Sequence, residues 1–234
     1  TVKPDLVHLN DAICVSQPGI MAARRERIPA ICHLRAMDRR NHFERWLSRS
    51  LRGYICVSRA VDEHQRSLGG RTSPSWVVYN GIDLTEFPAL SQADGQARAA
   101  LRREWGWAST DIVVGSVGRI VRWKGQHVFL SALAQLLPHY PNLRGLIVGA
   151  AEPRDQEYAA ALQEQAHRLG LEHAVRFAGY RADIPHLLRG MDILAHTSIS
   201  PEPFGRVIIE GMATGVAVIA TRAGGAAEII EDGV

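Results

Sequence analysis

Two glutamates, Glu202 and Glu210, bracket the run Pro203-Phe-Gly-Arg-Val-Ile-Ile209. A strand-like segment, Asp192-Ile-Leu-Ala-His196, precedes them, and a small-residue turn, Thr214-Gly215, follows. The spacing predicts a helix over 203–213, with Pro203 at the first helical position, where a missing N–H costs nothing. Glu202 then sits in the loop at the helix mouth and Glu210 about two turns inside, at 3.6 residues per turn. The amides of Phe204, Gly205 and Arg206 would point out of the helix N-terminus, an anion site. Such an arrangement suits a phosphate on the amides and sugar hydroxyls on the carboxylates. Two acids could instead face each other across a glycosidic bond, but an anion site between them does not help hydrolysis. A helix-mouth acid plus an unrelated surface acid is the simplest alternative.

A second constellation is Gly118-Arg119-Ile-Val-Arg-Trp-Lys124-Gly125, a strand-to-helix loop carrying cations at 119, 122 and 124. Cations placed where a diphosphate departs stabilise its developing charge, and losing one preorganised donor of that kind costs about 3 kcal/mol. The loop lacks G-x-x-x-x-G-K-[ST] and the third glycine of G-x-G-x-x-G, which argues against a Walker site and against NAD. Alone, it is also compatible with a basic surface loop. His33 closes the run Ile28-Pro-Ala-Ile-Cys-His33 and should stand at a strand's carboxyl edge, with Arg35 two residues on. No G-x-S-x-G occurs. No acidic cluster is placed to hold a metal beside a phosphate, so no metal and no cofactor are expected.

These residues need a scaffold. Apolar runs predict strands at 6–9, 30–33, 54–57, 76–79, 112–117, 145–149, 174–178, 192–196 and 216–220. Helices are predicted at 60–68, 125–137, 155–169, 182–189, 203–213 and 225–231. Several strands are continuously apolar, as parallel strands covered on both faces must be. Strand–helix alternation implies doubly wound α/β sheets with ligands at the carboxyl ends of strands. Residues 88–98, with Pro88, Ser91, Asp94 and Gly95, are the most loop-like stretch. The expected domains are 1–90, a hinge over 91–109, and 110–234.

Bulk properties narrow the classes. The 46% hydrophobic, 22% charged composition is that of a soluble globular protein. No apolar run approaches the roughly 20 residues a spanning helix needs. The chain opens at Thr1 and stops inside a helix-to-turn sequence, so both ends read as cut. Cys14, Cys32 and Cys56 are scattered and odd in number, which supports neither a disulfide framework nor a zinc site; reduced thiols suggest the cytoplasm. Residues 21–53 hold nine arginines against Glu26, Asp38 and Glu44, a local balance of +6 from nine minus three. Over 39–52, Phe43, Trp46, Leu47 and Leu51 fall on one helical face and Arg40, Arg45, Arg49 and Arg52 largely elsewhere. That is a solvated face over a packed stripe, or a surface for anionic lipid, where each cation adds about 1 kcal/mol. Nucleic acid is disfavoured, because no reader motif or aromatic–basic interleaving is present.

Together the motifs resemble glycosyltransferase family four, the retaining nucleotide-sugar transferases of the GT-B fold. The resemblance runs through Asp5-Leu-Val-His-Leu-Asn10, Ile28 to Arg35, Tyr54-Ile-Cys-Val-Ser58, Val78-Tyr-Asn-Gly-Ile-Asp83, Val117-Gly-Arg119 with Lys124-Gly125, and Phe177-Ala-Gly-Tyr180. Its most specific piece is Glu202 to Glu210, followed by Gly224-Gly225 and Glu228. It implies two Rossmann-like domains facing a cleft, the N-terminal one incomplete here. It implies donor contacts from Gly118, Arg119, Lys124, Tyr180, Arg181, Glu202, Phe204, Gly205, Arg206 and Glu210. His33, Arg119, Lys124 and Glu202 would be catalytic, and His33 and Arg35 would face the acceptor. The implied activity is metal-independent, retaining transfer from a UDP- or GDP-type sugar to a glycan or lipid-linked acceptor, in the cytoplasm or on the membrane's inner face. A nucleotide-sugar epimerase, a phosphorylase, or a non-catalytic nucleotide-sugar-binding module are the alternatives. Gly211, where the family commonly has alanine, should cost helix propensity of about 1 kcal/mol.

Overall fold

The computed structural model describes residues 4–68, 73–89 and 95–233. They form two compact α/β units. One comprises residues up to Gly81 with Pro201–Gly205 and the segment from Arg222; the other comprises Ile82–Ser200 and Arg206–Thr221.

In the first unit, strands β1 (Val7–Asn10), β2 (Ala30–Leu34), β3 (Gly53–Cys56) and β4 (Ser75–Val77) lie in that order, all parallel. Helices α1 (Ile13–Arg25), α2 (His42–Ser48) and α3 (Arg59–Ser67) make the crossovers. Asn41 caps α2 in a reciprocal capping box with Glu44. The expected stripe over 39–52 divides: α2 ends at Ser48, Leu47 and Leu51 are buried, and Phe43 and Trp46 face outward. Phe43 stacks on Trp46, and the Arg24 guanidinium lies 4.1 Å over the Trp46 ring. All three cysteines are free, and burial pushes the Cys32 thiol up to about 11.

The second unit holds β5 (Ile112–Val117), β6 (Leu143–Val148), β7 (Val175–Gly179), β8 (Ile193–His196) and β9 (Ala217–Ala220) in the spatial order β7-β6-β5-β8-β9, all parallel. Helices α5 (Gln126–Leu136) and α6 (Gln156–Arg168) cover one face with Phe129, Leu133 and Leu162. Helices α4 (Gly95–Glu104) and α7 (Ile184–Gly190) place Leu101, Leu187 and Leu188 in the other core, with Met191 and Leu194. Burial on both faces is why β6 is apolar from Gly145 to Val148, after Arg144 near its start.

The hinge expected over 91–109 requires correction. Residues 91–94 lie outside the described residues, but α4 is a core helix of the second unit. Its Leu101 meets Gly190, where a Cβ would stand 2.6 Å from the Leu101 side chain. Its buried Arg102 donates to the Asp111 carbonyl and pairs with Asp192 at 2.5 Å. The polar, Arg-rich sequence hid this helix, because one leucine and one buried guanidinium do the anchoring. The second compact unit begins at Ile82 rather than 110.

Candidate functional site

In the second sheet the chain order reverses between β5 and β8, a topological switch point. Open α/β sheets bind ligands outside the strand carboxyl ends at that point. The loop leaving β5 is residues 118–125, the cation-bearing loop, and the loop leaving β8 begins at Thr197. The two are joined through the carbonyls of the first loop. The Ile199 amide donates to the Trp123 carbonyl at 2.8 Å, and the Thr197 hydroxyl donates to the Gly125 carbonyl at 3.1 Å. Gly125 stands at φ 71°, and a Cβ there would lie 1.9 Å from the Thr197 carbonyl oxygen. Only a residue without a side chain permits that approach. The loop after β6 joins the same edge: a Cβ on Gly149 would lie 1.9 Å from the Gly118 carbonyl oxygen.

On this frame, the Lys124 stem lies beside Gly118 and its Nζ lies 4.4 Å over the Trp123 ring. Arg119 is half-exposed and pairs with Glu152 at 2.7 Å; that hydrogen bond holds the Glu152 carboxyl below its ordinary value. Sequence reasoning missed Glu152, which lies in another loop and carries no motif. Tyr180 stands exposed after β7. Arg181 is held by Asp183 and Glu104, carboxylates that raise its affinity for its proton.

Helix α8 (Arg206–Ala213) begins at Arg206, three residues later than expected. Pro203 is not its first residue: its carbonyl accepts the Ser58 hydroxyl at 2.6 Å in the first unit. Glu202 bridges to Gly224 in parallel register, and the Gly225 amide donates to the Glu202 carbonyl at 2.7 Å. Any Cβ on Gly224 would lie 2.3 Å from that carbonyl oxygen, which explains the glycine pair. The Glu202 side chain is buried there, and Phe204 packs on Tyr79 with ring centroids 6.0 Å apart. Glu228 accepts the Arg59 and Ala60 amides at the start of α3 and the Tyr79 hydroxyl, so it ties this segment to the first sheet. Among the described residues, the amides of Phe204, Gly205 and Arg206 donate to no protein acceptor, although Phe204 and Gly205 are buried. Inside α8, Glu210 is buried; burial pushes its carboxyl up, while Arg206, 3.2 Å away, pulls it down.

His33 lies at the carboxyl end of β2, stacked on His8 with ring centroids 5.8 Å apart. Burial, then the positive charges of Arg35 and His8, hold its imidazole below its ordinary value. Arg35 reaches Asn80 at 3.4 Å. His33, Arg35, Glu202, Phe204 and Gly205 thus belong to the first unit, and Gly118, Arg119, Lys124, Tyr180, Arg181, Arg206 and Glu210 to the second. Among the described residues no group of three or more His, Cys, Asp or Glu is arranged to hold a metal, and no helix is long and apolar enough to cross a membrane.

Two parallel α/β units, one with a basic glycine loop at its switch point, define a Rossmann-like α/β protein. Residues 97–234 match the glycosyl transferases group 1 family, residues 1–86 match glycosyltransferase family 4, and the chain belongs to the glycosyl transferases group 1 family, with a GT-B fold. The crystal structure of Anabaena HepE in complex with UDP and glucose is similar with a TM-score of 0.88 and 36% identity, covering 98% of this chain and 62% of HepE. The D-inositol 3-phosphate glycosyltransferase of Corynebacterium urealyticum is 38% identical over 182 residues, 76% of this chain and 40% of that protein. The lipopolysaccharide core biosynthesis mannosyltransferase LpsB of Rhizobium meliloti is 31% identical over 173 residues, 70% of this chain and 46% of LpsB. The chain therefore spans less than half the length of these two curated relatives.

Proposed function

We propose that the protein transfers a sugar from a nucleoside-diphosphate donor to a glycan or lipid-linked acceptor, with retention at the anomeric carbon. One observation carries the reading. The cationic loop 118–125 stands at the switch point of the second sheet, joined by a backbone hydrogen bond and the Thr197 hydroxyl to the loop that leaves β8. Lys124, Arg119 and the amides of Phe204, Gly205 and Arg206 hold the diphosphate. Glu202 takes hydroxyls of the transferred sugar, Glu210 takes the ribose hydroxyls, and Tyr180 and Arg181 lie toward the base. The leaving diphosphate is neutralised by these cations and amides, without a metal, and assists attack from its own face. His33 and Arg35 stand on the acceptor side.

UDP is the favoured nucleotide, because HepE was crystallised with UDP; GDP is the alternative. The relatives favour glycan or cell-surface polysaccharide synthesis, and the free thiols favour the cytoplasm. Peripheral contact with an anionic membrane is supported by Phe43 and Trp46, exposed among the arginines of 21–53. The test is transfer from UDP- and GDP-sugars by the full-length enzyme, with Glu202→Gln and Lys124→Ala variants. Loss of turnover in both is expected, and near-normal rates in both would reject the site. Release of an isomerised donor without an acceptor would instead indicate an epimerase, and tight donor binding without transfer a binding module.

A further inference from the structure

The first sheet has a second edge. At the amino ends of its strands, opposite His33, lies a cavity of about 600 Å³, within the range of small-ligand sites. Four arginines line it: Arg24 at the end of α1, Arg27 just before β2, and Arg49 and Arg52 just before β3. Its lining contains no acidic residue. Among the described residues none of the four has a carboxylate within ion-pair distance, a state shared by arginines elsewhere such as Arg45 and Arg122; what sets these four apart is that they line one cavity. Four unneutralised like charges around one cavity call for a counter-anion.

Helix C-termini favour cations, which accounts for Arg24 and Arg49. It does not account for Arg27 and Arg52, which lie beyond the helices. Arg27 also stands at φ 56°, the left-handed position after α1 where glycine is the ordinary choice. An arginine there gives up stability that a glycine would supply. Arg24 is already placed, its guanidinium carbon 4.1 Å from the Trp46 ring centroid.

We infer that this cavity is a binding site for a phosphorylated ligand bearing several negative charges, because guanidinium forks match phosphate oxygens in pairs. It is separate from the donor-diphosphate loop and does not depend on that assignment. Its lipid form deepens the membrane reading above and rests on it. The phosphate is supplied either by a soluble oligophosphate or by a phospholipid headgroup beside the exposed Phe43 and Trp46.

The experiment titrates tripolyphosphate into the chain by calorimetry, in wild type, Arg119→Ala/Lys124→Ala and Arg49→Ala/Arg52→Ala. All four positions of the last two variants are surface-exposed or half-exposed, so folding should persist; the melting temperature checks it. Expected is binding that survives in the donor-loop variant and weakens at least about tenfold in Arg49→Ala/Arg52→Ala. Arg27→Gly should raise the melting temperature while weakening binding, a combination that a purely structural arginine would not give. Wild-type affinity in Arg49→Ala/Arg52→Ala, or binding lost only in the donor-loop variant, overturns the site. Co-sedimentation with phosphatidylcholine vesicles, with and without phosphatidic acid at about one lipid in five, identifies the source. Acid-dependent sedimentation lost in Arg49→Ala/Arg52→Ala assigns a lipid headgroup. Tripolyphosphate binding without vesicle binding assigns a soluble phosphate, leaving the cavity site intact while refuting the membrane contact.

Discussion

Gly125→Ala isolates the join on which the switch-point site depends. Two costs add. An alanine at φ 71° pays the left-handed penalty of about 1–2 kcal/mol. Its Cβ would also lie 1.9 Å from the Thr197 carbonyl oxygen, a backbone atom that cannot rotate aside. Overpacking of this kind costs about 1–3 kcal/mol, so the sum is about 2–5 kcal/mol. Gly170→Ala supplies the control: φ is 66°, and no atom outside its own chain neighbours lies within 4 Å of the added Cβ. It should cost only the first of these, about 1–2 kcal/mol. Urea unfolding of both variants at equal slope gives the difference. UDP affinity should fall in Gly125→Ala, because loops 118–125 and 197–199 must separate, and stay unchanged in Gly170→Ala. Equal destabilisation of the two variants would refute the reasoning.

Three further outcomes follow from the packing and the charges. Gly211→Ala should destabilise by about 1 kcal/mol or more despite better helix propensity, because its Cβ would lie 2.6 Å from Leu194 and 3.1 Å from Val218; a gain in thermal stability would contradict this. Arg102→Met should cost about 3 kcal/mol in chemical denaturation, since it removes the buried donor to the Asp111 and Gly190 carbonyls and leaves Asp192 only the more distant Arg98, and a cost under about 1 kcal/mol would show the pair to be dispensable. The imidazole of His33 binds its proton less readily folded than unfolded, so its contribution is full above an unfolded value of about 6.5 and is lost as pH falls through the folded value below it. His33→Gln should therefore flatten the stability–pH curve on the acid side of about 6.5, and an unchanged curve would show that the burial is not felt.

Much of the second unit was legible. All five of its strands are mainly apolar runs, β5, β6 and β7 each meeting a glycine at the carboxyl end, and the 118–125 loop stands out by its cations. What escaped depends on contacts distant in the chain. Ser58 meets Pro203 across 145 residues, and that hydrogen bond, with the Gly224–Glu202 bridge, draws the 201–205 segment out of the helix predicted to begin at 203. Gly211 looked like a propensity cost because spacing cannot show Leu194 against the helix. Helix α4 looked like a linker because its anchors are one leucine and a buried arginine whose partners lie up to 90 residues away. Arg119 was legible as a cation, but its partner Glu152 was not.

Calorimetric titration of UDP against wild type and Lys124→Ala tests the central assignment most directly. A wild-type complex weakened at least about tenfold by the substitution, with the melting temperature of the free protein unchanged, is the predicted result. Equal UDP affinity in the two proteins, or none in wild type, would contradict it.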